Sequence, residues 1–236
     1  MHRRDVTPAH VAAETDRLLA TVDGLSAADL AGPSLCEGWS RGHVLAHLAR
    51  NADALTRVAS VATTGVADTM YDSPGARDAD IDAGAGRPVA AQADDLRASA
   101  ARLAEALGQL TPEHGGVRVH RTPGGPQIAV GAVPYLRLRE LVFHHVDLDA
   151  GFGFADAPPD VVGLLLDDAV ARLTEAPDAP AAPDVTLVTD EGDEHVLGSG
   201  ATRVSGPRAG VLLWLARGRT DGVTVDGVLP TLPFGG

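Results

Sequence analysis

The sequence predicts an α+β protein: an N-terminal four-helix bundle followed by a small C-terminal α+β domain. Three observations carry that expectation. Four long segments in the first two thirds of the chain repeat apolar residues at helical spacing. After Gly151 the pattern changes to short alternating runs broken by Pro- and Gly-rich turns. Hydrophobic residues make up 44% of the 236 positions but aromatic residues only 3%, which implies a core packed from Ala, Leu and Val. That length suits one large domain or two small ones, and the shift places the division at residues 1–153 and 154–236.

The elements follow in order. "TPAHVAAETDRLLATVDGL" opens with Thr7 as a cap and Pro8 at the first helical position. "WSRGHVLAHLARNADALTRVASVAT" starts a second helix at a Ser40 cap. Residues 63–87 are expected to form a long polar loop, a kind of segment that is often functional. A third amphipathic helix covers 88–110, and residues 117–130 suggest two short strands around a Pro-Gly-Gly turn. "VPYLRLRELVFHHVDLDAG" is the fourth helix. Beyond it come a linker, "FGFADAPPD", a helix over 160–174 and a Pro/Ala-rich loop, "EAPDAPAAPD". "VTLVTDEGDEHVLG" reads as a hairpin, "ATRVSG" as a strand, "PRAGVLLWLARG" as a helix and "GVTVDG" as a last strand.

Charge excludes several functions. The net charge is −13, and all nineteen basic residues are Arg without any basic cluster, so neither nucleic acid nor an anionic membrane is an expected partner. A lone cysteine, Cys36, rules out an internal disulfide and a Cys-rich zinc site. The N-terminal run lacks a signal-peptide core, and no stretch of ~18 apolar residues is present. A monomeric, soluble, cytoplasmic protein is the expectation.

The fourth helix holds the chemistry. At about 100° per residue, Glu140 and His144 lie roughly 40° apart, with Asp147 on the same stripe. Leu138, Leu141, Val142, His145 and Val146 point elsewhere. In the second helix His47 falls within the apolar arc of Val44, Leu48, Leu55 and Val58, while His43 sits at its edge, as an outer partner or a surface residue. His47 with Glu140 and His144 gives three N/O ligands, the number in a catalytic zinc site that keeps an open position. A buried Glu–His hydrogen bond is the structural alternative, and the His doublet leaves His145 as a competitor.

Three segments, "CEGWSRGHVLAHLARNADAL", "MYDSPGARDADIDAGAGRP" and "RLRELVFHHVDLDAGF", resemble the mycothiol-dependent maleylpyruvate isomerase family, within the DinB-like metal-binding helical bundles. The tail "PRAGVLLWLARGRTDG" resembles that family's sterol-carrier-like C-terminal domain. The resemblance implies zinc, one ion per chain, on His47, Glu140 and His144, with mycothiol as thiol cosubstrate. It also implies a catalytic Arg, matched best by Arg219 and alternatively by Arg217. The implied reaction is addition of the zinc-held thiolate to the cis double bond of maleylpyruvate, rotation, and expulsion of the thiol to give fumarylpyruvate. Arg77, in the expected loop, is a second candidate for binding the substrate's carboxylates. A mycothiol S-transferase on the same metal site is the nearest alternative, and a small-ligand-binding protein with a structural metal a further one.

The remaining candidates have blander readings. Cys36 is taken as a half-buried small hydrophobe and Trp39 as packing before the helix cap. His114, His120 and His195 are assigned surface or structural roles. "GAGRP" lacks the strand–turn–helix setting of a phosphate loop.

Overall fold

Helix α1 (Pro8–Val22) begins after Thr7, whose backbone N–H donates to His10 Nδ1 at 3.1 Å. A short α2 (Ala27–Ala31) follows, capped by Ser26. Helix α3 (Arg41–Thr64) starts at Ser40 and stops at Gly65, whose φ of 70° is the left-handed conformation glycine adopts without penalty. The computed structural model describes residues 1–175, 183–230 and 232. They divide into two units, His2–Ala150 and Gly151–Gly236.

Residues 63–87, expected as a loop, instead contain helix α4 (Pro74–Ala85). Ser73 caps it, accepting from Ala76 N–H at 3.0 Å, and Pro74 fills the first turn. Only Ile81 is buried along it, so there was no apolar stripe to read. Small residues let α4 lie close on α3. A side chain at Gly84 would put its Cβ 2.8 Å from Ala46 Cβ, and one at Gly42 would put its Cβ 2.3 Å from Ala85 O.

Helix α5 (Val89–Gly108) leads to a hairpin of β1 (Arg118–His120) and β2 (Gln127–Ala129), with Val119 opposite Ile128. Helix α6 (Val133–Asp147) completes the unit. α3 packs on α4, α5 and α6, while α1 covers the α5–α6 side. Leu55, Val58, Leu103, Leu107, Val119 and Val133 form one shared core, so α3, α5, α6 and the hairpin bury the same apolar surface.

In the second unit, "FGFADAPPD" is more than a linker, because a single 3-10 turn over Phe154–Asp156 buries Phe154. Helix α7 (Pro159–Glu175) precedes a four-stranded sheet of β3 (Val185–Thr189), β4 (Glu194–Leu197), β5 (Thr202–Gly206) and β6 (Thr224–Asp226). Its strand order is β4-β3-β5-β6, with β3 and β5 parallel and the other pairs antiparallel. Helix α8 (Arg208–Arg217) connects β5 to β6. Val185, Leu187 and Val204 alternate inward and meet Leu166, Val211 and Trp214. The expected Pro/Ala-rich loop lies outside the described residues over 176–182. No helix among the described residues is long and apolar enough to cross a membrane.

Candidate metal centre

Ser40 fixes the start of α3 by accepting from His43 N–H at 3.3 Å, and the His43 ring returns to Ser40, with Nδ1 at 3.2 Å from its N and 2.7 Å from its Oγ. His43 is therefore the reciprocal half of a capping box, a role that His10 and His114 share at their own helix starts. His47, one turn further on, turns into the bundle and is 4% exposed.

Across from it, α6 presents Glu140 and His144 from successive turns. His47 Nε2 lies 2.8 Å from Glu140 Oε2, and His144 Nε2 lies 3.4 Å from the same oxygen. The two imidazole rings meet edge to face with centroids 4.5 Å apart. One ligand atom from each of the three residues falls within 4.8 Å of the others. His145 does not join them, since its Nε2 lies 2.7 Å from Thr21 Oγ1 in the seam with α1.

Charges within this group are strongly perturbed. Burial pushes the His47 pKa down to about 4, against the pull of Glu140, so this ring is neutral at pH 7. Burial opposes ionisation of Glu140, but the hydrogen bonds of His144 and His47 hold its carboxyl well below the usual range. Burial likewise disfavours an imidazolium at His144, yet its bonds to Asp147, Cys36 and Glu140 raise it well above the ordinary histidine value. The fully buried Asp147 accepts from His144 Nδ1 at 2.8 Å.

A second trio, Cys36, His144 and Asp147, also has metal-ligand spacing. It shares His144 but would use Nδ1. Two features favour the first trio. Asp147 has no exposure, whereas Glu140 keeps 21% of its side chain exposed, leaving room for an exchangeable ligand. A buried carboxylate on His144 Nδ1 also leaves Nε2 to face His47 and Glu140, the orientation that outer partners give to metal-binding imidazoles. The donor set therefore suits a zinc-type cation. Cys36 departs from its reading as a small hydrophobe, for its thiol donates to Asp147 Oδ2 at 3.2 Å and lies 4.0 Å from His144 Nδ1.

Around these residues stand groups that sequence reasoning undervalued. Trp39 packs against His47 with ring centroids 5.5 Å apart and stacks on His43 at 6.3 Å. Arg77, from α4, places Nη2 3.3 Å from His47 Nδ1 and pairs with Asp78 at 2.6 Å. Burial raises the pKa of Tyr71, and the neighbouring Arg77 guanidinium opposes that rise. Tyr71 lies in one of the resembling segments, but no helical period singles it out ahead of α4. Arg219 belongs to the second unit, just past Gly218 at the α8 C-cap, and its Nε lies 2.9 Å from Asp221 Oδ2. Arg217 donates from Nη1 to Ala216 O at 2.6 Å.

Comparison with known proteins adds an independent line. The family model described as "Mycothiol maleylpyruvate isomerase N-terminal domain" matches residues 11–149. Among solved structures, the crystal structure of the mycothiol-dependent maleylpyruvate isomerase superposes with a TM-score of 0.87 at 27% identity, covering 99% of each chain. A histidine-to-alanine mutant of that enzyme gives the same figures, a TM-score of 0.87 and 27% identity over 99% of each chain. No curated protein sequence matches. With more than half of its length matched by that model, from α1 through Glu140 and His144 of α6, the chain belongs to the mycothiol maleylpyruvate isomerase family.

Proposed function

We propose that this protein is a zinc-dependent, mycothiol-using cis–trans isomerase that converts maleylpyruvate to fumarylpyruvate. The observation that carries the proposal is the convergence of His47, Glu140 and His144, in a chain that aligns over 99% of its length with an enzyme of that name. A zinc ion held by these three residues would lower the pKa of mycothiol's thiol, supplying a thiolate at neutral pH. The protein's own groups do the rest. Asp147 orients the His144 ring through Nδ1, and Trp39 walls the His47 ring on one side.

Arg77 has the reach and charge to bind a substrate carboxylate, being tethered beside His47. Its donation to His47 Nδ1 requires a ring whose proton sits on Nε2. A ring that uses Nε2 for a metal carries its proton on Nδ1 instead, and Arg77 is then free to turn to the substrate. Arg219, with Arg217 as its alternative, is kept as the catalytic arginine that the family resemblance implies. On a chain of net charge −13, local guanidinium groups are what makes a dianionic substrate bindable.

The test is a spectrophotometric assay of maleylpyruvate with and without mycothiol, on wild type and His47→Ala. Turnover that needs catalytic mycothiol and about one equivalent of zinc, both lost in His47→Ala, supports the proposal. Stoichiometric consumption of the thiol would point to a mycothiol S-transferase. Full zinc content in His47→Ala, with loss in His43→Ala, would overturn the ligand assignment.

A further inference from the structure

Arg137 on α6 is sealed inside the bundle with no exposed surface. Its Nη1 donates to Leu48 O at 2.8 Å and to Asn51 Oδ1 at 2.9 Å, both on α3 and both uncharged. Nη2 is buried and has no hydrogen-bond partner. Burial pulls its pKa down to about 10, which leaves the guanidinium cationic at neutral pH, with Glu140 and Asp53 acting on it through their charges. Bracing two helices through neutral acceptors does not require a full charge, and a buried cation without a contacting anion is costly.

A cleft of about 240 Å³ between α1 and α5 has this residue in its lining. Val11, Leu19, Leu103 and Leu107 form its apolar walls, with Ala104 along α5. Asp16 and Arg97, both exposed, are its other charged lining residues, and Arg97 already pairs with Asp23 and Asp94. None of His47, Glu140 and His144 lines it.

We propose that this cleft is a binding site for a short aliphatic monocarboxylate, its chain lying between α1 and α5 and its carboxylate meeting Arg137 Nη2. The walls contain no aromatic ring, which favours an aliphatic over an aromatic body. The volume falls below the range of roughly 300–1,000 Å³ typical of drug-sized ligands, which limits the chain to a short one. A single unpaired amino group suits one carboxylate, and Asp16 disfavours a second negative charge on the same ligand. Because Nη2 has no surface open to water, the carboxylate reaches it by displacing side-chain atoms at the cleft floor.

Calorimetric titration of the full chain with octanoate tests this. One saturable site is expected, at least tenfold tighter than for octanol or octylamine. Arg137→Gln should weaken octanoate at least tenfold, and so should Ala104→Trp, which fills the cleft from α5 without touching the core. His47→Ala should bind octanoate as wild type does. Octanol binding as tightly as octanoate, full affinity in Ala104→Trp, or loss of binding in His47→Ala would overturn the proposal, the last by placing the acid on the metal donors. Should Arg137→Gln fail to fold, the octanol comparison and Ala104→Trp decide the matter.

Discussion

His144 is flanked by carboxylates at both ring nitrogens, Asp147 on Nδ1 and Glu140 on Nε2. Its raised pKa makes it an imidazolium at pH 7 in the metal-free protein, whereas His47, at about 4, is already neutral. Ligation needs an imidazole lone pair, so uptake of the proposed zinc would expel the His144 proton. Calorimetry in buffers of different ionisation enthalpy should register close to one proton released per zinc at pH 7. Apparent affinity should fall about tenfold per pH unit as the pH drops below the His144 value. Release of no proton would remove this account. The convergence of His47, Glu140 and His144 was legible from helical spacing, because a periodicity of 3.6 decides which side chains share a face. The role of Asp147 was not: its place on the stripe could be read, but its bond to Nδ1 depends on rotamers. Cys36 and Tyr71 were equally hidden, since loop residues reach the site only through tertiary structure.

At the scale of elements, α1 buries a carboxyl among its apolar residues. Glu14 is 3% exposed, its Oε2 has no hydrogen-bond partner, and burial raises its pKa despite Arg17 at 3.4 Å. A carboxyl whose folded pKa exceeds its unfolded value favours folding most when protonated. That contribution is present below pH 4.5 and is lost as the pH rises through the folded value. Glu14→Gln should therefore stabilise the protein by ~1 kcal/mol at pH 8 and by little at pH 4, read from urea midpoints. An equal gain at both pH values would show that charge is not the cause. Long helices such as α3 and α5 announce themselves by period and cap. Helix α4 did not, because with Ile81 as its single buried residue it is held by its cap and by close approach to α3, and neither has a period. Ser73 followed by Pro74 was the available signal, one that α1 displays identically as Thr7 and Pro8.

For the whole molecule, the change of pattern after Gly151 was plain in the sequence, because a sheet and a helical bundle impose different hydrophobic periods. The proposed role of Arg219 had no such signature, since a single arginine carries no pattern. Arg219 sits past a helix C-terminus, where a cation of either kind interacts favourably with the dipole. A dipole role tolerates lysine, while a forked contact with a carboxylate does not. Arg219→Lys should keep zinc content and melting temperature, yet lose at least ~10²-fold in kcat/KM for maleylpyruvate. Turnover near wild type would transfer the role to Arg217 or Arg77.

The bond between Thr21 and His145 also bears on how the bundle assembles. It joins residues 124 positions apart, so the α1–α6 seam closes one of the longest loops in the first unit. Closing a loop costs entropy before its contacts repay it, so this bond is expected to form late, after the transition state. Thr21→Val removes the bond while keeping the side-chain shape. Stopped-flow measurements should then show unfolding accelerated severalfold with refolding nearly unchanged. The seam would act as a latch that sets how long the folded bundle lasts rather than how fast it forms.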